Sequence, residues 1–397
     1  MGGGIAQLVS SRDIPVRVKD LNEKALSGAL AEAMKVYRSL LKKKRVKPHE
    51  VANKMSLISV GLTNDGLKNC GILIEAVVED LPLKQKVFSE LSSLTGPETI
   101  LASNTSSLSV TKMAAGCRYP ERVVGLHFFN PVNRMPLVEV IRADQTSQET
   151  IERTVLFARR LGKTVIVVED RPGFLVNRLL LPYMNEAAYL LEEGFAPNCI
   201  DSTARKFGMP MGPIELVDQV GIDVGYKVAH ILAGAFGARM KVASILEKVY
   251  QAGLLGKKSG KGFYLYGKNG KTNGVNPEIK RLGLNFCASS RSIFNKDVIK
   301  RMIYIMINEA ARCLEERVTD SPASVDIGLM MGAGFPPFRA GLLRYADSVG
   351  TASILKDLER FQSADAAARL PDGQAQDRFE PSAYLKKLAQ QNAGFHG

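Results

Sequence analysis

The chain is expected to be an α/β protein, a doubly wound parallel sheet domain followed by two all-helical domains related by an internal repeat. Two patterns predict this. Across residues 1–169, short apolar runs rich in β-branched residues alternate with helical periodicities, as strands returned in parallel through helices require. Beyond them the pattern turns helical and recurs: Tyr183-Met184-Asn185-Glu186-Ala187-Ala188-Tyr189-Leu190-Leu191-Glu192-Glu193 returns as Met306-Ile307-Asn308-Glu309-Ala310-Ala311-Arg312-Cys313-Leu314-Glu315-Glu316. The expected organisation is a sheet domain over 1–169, a first helical copy over 170–267, a polar Gly- and Asn-rich linker over 268–292 and a second copy over 293–397.

Taken in order, Gly2-Gly3-Gly4-Ile5-Ala6 reads as the opening of a helix with Gly2 packed closely. Ile14 to Asp20 is a strand ending in an acid, the place for a carboxylate that binds the adenosine ribose of a dinucleotide; Asp20 favours NAD over its 2′-phosphorylated relative. Leu26 to Leu41 is helical, and Lys42-Lys43-Lys44-Arg45 extends it into a basic turn that reads as a solvated face. Gly71 to Asp80 is a buried strand running into acids, and a helix starts near Lys84; on their own Glu79 and Lys84 read as a helix-start acid and a surface base. Ile100 to Asn104 is another strand, and Asn104-Thr105-Ser106-Ser107 reads as a cap for the next element. A helix over Gln148 to Leu161 and the strand Thr164 to Val168 close the domain.

The chemistry centres on Val123-Val124-Gly125-Leu126-His127-Phe128-Phe129-Asn130-Pro131 and Leu137-Val138-Glu139-Val140-Ile141. Both apolar runs read as strands, and an antiparallel or neighbouring return sets His127 near Glu139. Alternation puts Glu139 on the face of Leu137 and Ile141, where an unpaired carboxylate is costly, so it needs a partner. Such a pair serves an alcohol dehydrogenase that works without metal: the imidazole takes the hydroxyl proton while a hydride leaves the same carbon, and the carboxylate fixes the tautomer. Spacing alone leaves open a satisfied core histidine beside a buried ion-pair partner.

Composition narrows the field. At 397 residues the chain holds two or three domains, and no apolar run approaches a membrane span. Five scattered cysteines suggest a reducing, cytoplasmic setting without disulfides, and four dispersed histidines lack metal-ligand spacing, so no metal is expected. The net charge of +13 is spread along the chain without a nucleic-acid motif, so no nucleic-acid partner is expected and a polyanionic small molecule fits the field. Gly256 to Tyr264 fails the phosphate-loop spacing and reads as a structural turn. The acidic, Ala-rich stretch from Leu355 through Asp377 reads as loose, ahead of a short helix near Ala383 to Gln391.

Three words in one order, Ala102-Ser103-Asn104-Thr105-Ser106-Ser107-Leu108, then His127 to Pro131, then Arg171-Pro172-Gly173-Phe174-Leu175-Val176-Asn177-Arg178, resemble the 3-hydroxyacyl-CoA dehydrogenase family. The resemblance implies a Rossmann-like NAD domain, acyl-CoA as substrate, and oxidation of a 3-hydroxyacyl-CoA to the 3-oxoacyl-CoA in fatty-acid β-oxidation. It implies His127 as base with Glu139 as its orienting partner, Ser106 and Asn177 on the substrate oxygen, and Asn130 supporting the histidine region. It places Glu79 and Lys84 beside the nicotinamide ribose, adds Asn104 to the cofactor set, and offers the basic turn after Leu41 as a contact for the CoA phosphates. Gly2 matches the third glycine of the family's dinucleotide motif, so the expectation is an N-terminally truncated sheet whose first strand and first two glycines are missing. Arg17-Val18-Lys19-Asp20 and the doubled helical copy resemble the bacterial multifunctional fatty-acid oxidation members, which carry a hydratase domain upstream and a thiolase subunit as partner. Two other readings stay open, a non-catalytic interaction module and another NAD-dependent β-hydroxyacid dehydrogenase.

Overall fold

The computed structural model describes residues 1–284, 286, 296–367 and 377–397, which divide into two compact units, Met1–Asp170 and Arg171–Gly397. Cys287 and the expected start of the second copy at 293 lie outside the described residues.

In the first unit the strands are β1 (Val16–Lys19), β2 (Ile58–Gly61), β3 (Ile72–Glu75), β4 (Ile100–Ser103), β5 (Val123–Phe128), β6 (Leu137–Arg142) and β7 (Thr164–Glu169). They do not form one sheet. β1 and β2 pair in parallel by themselves, and β3-β4-β5-β6-β7 form a second sheet in sequence order. Nor is that sheet wholly parallel: β6 runs antiparallel to β5, because Asn130 to Pro136 is too short to cross over through a helix, and every other neighbour pair is parallel. The helices are α1 (Gly2–Ser10), α2 (Glu23–Lys42), α3 (Pro48–Ser56), α4 (Leu81–Leu94), α5 (Val110–Ala114) and α6 (Gln148–Arg160). α1 gives Ile5, Leu8 and Val9 to the core beneath Ala102, Val124, Leu126 and Val140. The close approach belongs to Gly3, not Gly2: a Cβ on Gly3 would lie 2.6 Å from the Ala29 carbonyl oxygen of α2, whereas one on Gly2 would meet nothing within 4 Å. The strand expected through Asp80 stops at Glu75, leaving residues 76–80 as a loop.

The second unit contains α7 (Val176–Glu192), α8 (Pro197–Phe207), α9 (Pro213–Val220), α10 (Ile222–Phe236), α11 (Ser244–Gln251), the hairpin strands β8 (Tyr264–Tyr266) and β9 (Thr272–Val275), then α12 (Lys296–Glu315), α13 (Pro322–Gly332), α14 (Leu342–Val349), α15 (Thr351–Ala367) and α16 (Ala383–Gln390). Residues expected to be a plain linker from 268 thus supply β9 and a short 3-10 turn, Pro277–Leu282, with Asn276 and Ile279 buried. Residues 355–367, expected to be loose, belong to α15; residues 368–376 lie outside the described set.

The repeat is real down to its hydrogen bonds. Asn185 accepts from the Ala243 N–H and donates to the Lys241 carbonyl; Asn308 accepts from the Ser382 N–H and donates to the Glu380 carbonyl. Asp218 accepts from the Phe263 and Tyr264 N–H groups, and Asp347 accepts from those of Phe395 and His396. Gly262 and Gly394 lie so close to these carboxylates that neither site has room for a Cβ. The turn at Gly256 to Tyr264 is therefore structural, and Gly394-Phe395-His396 is its second copy.

Candidate active site

β5 and β6 bring the two chemical residues together by register. In this antiparallel pair His127 stands directly opposite Glu139, so both side chains leave the same face. His127 Nδ1 lies 2.7 Å from Glu139 Oε2, with the imidazole nearly buried and the carboxylate fully so. The Phe129 ring sits 4.6 Å from the imidazole, centroid to centroid. The Nδ1–carboxylate contact fixes the ring's orientation.

The segment after β4 is tied to this pair. Asn104 Oδ1 accepts the Phe128 N–H at 2.9 Å, so the side chain assigned to the cofactor spends its oxygen on the residue next to His127. Ser106 is not a helix cap: α5 is capped by Ser109, whose hydroxyl accepts the Lys112 N–H. Instead the Ser106 N–H donates to Glu79 Oε1 at 2.9 Å, and the Thr105 hydroxyl donates to the same oxygen at 2.6 Å. Lys84 is no surface base. Its ammonium is buried, donating to Glu75 Oε1 at 2.8 Å and the Val77 carbonyl at 3.4 Å, and lying 3.4 Å from Glu79 Oε2.

Asn130 is exposed at the start of the loop between β5 and β6. That loop is pinned by Lys163, whose Nζ donates to the Val132 and Met135 carbonyls at 2.5 and 2.6 Å. Burial, aided by the nearby Arg12 guanidinium, pulls the Lys163 ammonium down to about 8. Asp20 follows β1 and accepts the Leu21 N–H at 2.7 Å. Asn177 is carried by the other unit, as the second residue of α7, with Leu175 rather than Asn177 at the cap position. Sequence reasoning passed over Glu75, Ser103 and Lys163. The signal for Glu75 was present: a carboxylate closing the apolar run Ile72-Leu73-Ile74, nine residues before a lysine.

A sheet-borne imidazole–carboxylate pair beside a strand-to-helix segment of Ser, Asn and Thr suits an α/β dehydrogenase. The chain belongs to the 3-hydroxyacyl-CoA dehydrogenase family: the family's NAD binding domain matches residues 1–171 and its C-terminal domain matches residues 173–266. It is 45% identical over 397 residues to the fatty acid oxidation complex subunit alpha of Shewanella baltica, with all of this chain set against 54% of that protein. The chain therefore spans about half the length of the curated relatives it matches. Among solved structures it resembles 3-hydroxybutyryl-CoA dehydrogenase from Escherichia coli at TM-score 0.84 and 27% identity, covering 99% of this chain and 96% of that one. (S)-3-hydroxybutyryl-CoA dehydrogenase from Ralstonia eutropha has TM-score 0.65 and 37% identity, covering 68% and 96%.

NAD is the cofactor of this domain, and the residues present fit it. Leu21, Leu62, Val77 and Val78 lie just past the C-terminal ends of β1, β2 and β3 with their side chains open to solvent, Leu21 at 83% and Val78 at 70%. Large apolar groups left bare at strand ends, next in sequence to Asp20 and Glu79, suit a ligand with flat ring faces and ribose hydroxyls. Among the described residues no helix is long and apolar enough to cross a membrane.

Proposed function

We propose that the chain is the catalytic dehydrogenase portion of a multifunctional β-oxidation protein and oxidises (S)-3-hydroxyacyl-CoA to 3-oxoacyl-CoA. The observation that carries this is the 2.7 Å pairing of His127 Nδ1 with Glu139 Oε2. His127 Nε2 takes the proton of the 3-hydroxyl, and Glu139 holds the imidazole in the tautomer whose Nε2 can accept it and stabilises the imidazolium that results. NAD, when bound, supplies the hydride acceptor; Asp20, Glu79 and Asn104, with Lys84 from beneath and Gly2 at the start of α1, are the residues to hold it. Ser106 holds the substrate oxygen, and Asn130 supports the histidine region. The setting is the cytoplasm, with a thiolase subunit as partner, in line with relatives named as subunits of a fatty acid oxidation complex.

The test is absorbance-followed oxidation of NADH by a 3-oxoacyl-CoA, with His127→Gln as control. Turnover that falls by about 10²–10⁴-fold in the variant supports the reading. A folded wild-type chain that binds NADH and acyl-CoA without turnover removes it in favour of a non-catalytic module. Equal rates with substrates that lack the CoA moiety point to another β-hydroxyacid dehydrogenase.

A further inference from the structure

We infer that Glu75 is a positioning residue for this site, the node from which both the Glu79 carboxylate and the segment Ser103 to Ser107 are held. The inference rests on the dehydrogenase reading for its consequence in turnover, but its geometry stands apart from it. Glu75 closes β3 with its side chain fully buried and both oxygens engaged. Oε1 accepts from the Lys84 ammonium at 2.8 Å and from the Val77 N–H at 2.6 Å; Oε2 accepts the Ser103 hydroxyl at 2.7 Å.

Two arms run from it to one place. Through Lys84 it reaches Glu79, which accepts from the Thr105 hydroxyl, the Ser106 N–H and, at 3.5 Å, the Ser107 hydroxyl. Through Ser103, whose Oγ accepts the Thr105 N–H at 3.2 Å, it reaches the same segment from below. The Glu75 carbonyl adds a third tie by accepting the Asn104 N–H at 2.8 Å, and Asn104 in turn holds Phe128 beside His127.

A buried ion pair is a poor way to gain stability, since apolar residues of similar volume do as well. It is a good way to fix geometry. The Lys84 ammonium faces protein oxygens of Glu75, Val77 and Glu79, so its charge is spent on aligning Glu75 with Glu79 rather than offered to a ligand directly. Two carboxylates sharing one ammonium leave a net negative charge, and the half-exposed Glu79 is where it meets the segment that carries Ser106.

Hydrogen exchange followed by mass spectrometry tests this on the wild-type chain, Glu75→Gln and Ser103→Ala, reading peptides over residues 103–108 against 137–142 of β6. Glu75→Gln keeps the shape but loses the charge and one acceptor. Exchange over 103–108 is expected to rise about tenfold with 137–142 unchanged, and Ser103→Ala, which cuts one arm only, to give a smaller rise. In the same preparations kcat is expected to fall together with a rise in KM for the 3-oxoacyl-CoA. Unchanged exchange over 103–108 in both variants overturns the inference, as does equal acceleration of both segments, the mark of a merely structural pair. If Glu75→Gln does not fold, Ser103→Ala decides by the same comparison. Loss of the dehydrogenase reading would show separately, as a wild-type chain without turnover.

Discussion

Glu139 stands directly across the β5–β6 ladder from His127, and its Oε2 lies 2.7 Å from the imidazole Nδ1. Backbone register, not a flexible loop, sets that distance, so the pair is formed before any ligand binds. Glu139→Gln keeps an oxygen for Nδ1 but removes the charge that stabilises the imidazolium. We expect kcat to fall about 100-fold with NADH affinity unchanged, measured by steady-state kinetics beside a direct NADH titration. An unaltered kcat would make Glu139 a residue of the fold alone.

Gly2 and Gly3, two of the three glycines that open α1, make a sharper contrast than their equal appearance in sequence suggests. A Cβ on Gly3 would press into the Ala29 backbone, which cannot yield as a side-chain tip does, whereas a Cβ on Gly2 meets open space. Gly3→Ala should lower stability by about 1–3 kcal/mol by forcing α1 from α2. Gly2→Ala should stay within about 0.5 kcal/mol of wild type. Urea unfolding of both decides it; equal penalties would mean the α1–α2 contact is not tight.

Much of this was legible because it depends on local pattern. The pairing of His127 with Glu139 stems from two apolar runs separated by a short loop with Asn and Pro, which allows little besides an antiparallel return. The helical repeat shows as a block that recurs residue for residue around Asn-Glu-Ala-Ala. What was not legible depends on three-dimensional neighbours. Lys84 has the sequence look of a surface lysine, and only the arrival of Glu75 and Glu79 on either side allows it to be buried. The split between the β1–β2 sheet and the β3–β7 sheet, like the choice of Gly3 over Gly2, lies in packing between elements distant in sequence.

The helical repeat places charges about an internal two-fold relationship. Arg178 on α7 pairs with Glu309 and Glu316, and its counterpart Arg301 on α12 pairs with Glu186 and Glu193. Phe236 lies against the Arg178 guanidinium and Phe379 against that of Arg301. Arg178 is fully buried, so removing one partner leaves the other charge without solvent. Glu309→Leu should therefore cost about 3–5 kcal/mol, and the double variant Arg178→Leu/Glu309→Leu should recover much of that loss. Denaturant unfolding of wild type, Arg178→Leu, Glu309→Leu and the double variant checks it. A double variant as unstable as the sum of its parts would show that the charges themselves, and not their mutual need, hold α7 to α12.

Asp201 gives the second unit a readable pH dependence. It is fully buried, and its carboxylate accepts the Ile214 and Glu215 N–H groups at 2.8 and 3.1 Å and the Tyr264 hydroxyl at 2.7 Å. Those bonds favour the charged form, but burial outweighs them and pushes the carboxyl up to about 6. Asp218 is pushed up to about 6 for the same reason. A carboxyl raised above its unfolded value binds its proton more tightly when folded. Its contribution to stability is therefore complete below about pH 4, the ordinary carboxyl range, and is lost as pH rises through 6. Asp201→Asn removes that titration and leaves Asp218 as background. The stability difference between wild type and Asp201→Asn should thus shift in favour of wild type by about 1 kcal/mol between pH 7 and pH 5, read from denaturant midpoints at each pH. A difference that stays flat across that range would mean the three hydrogen bonds hold Asp201 charged at pH 5 despite its burial.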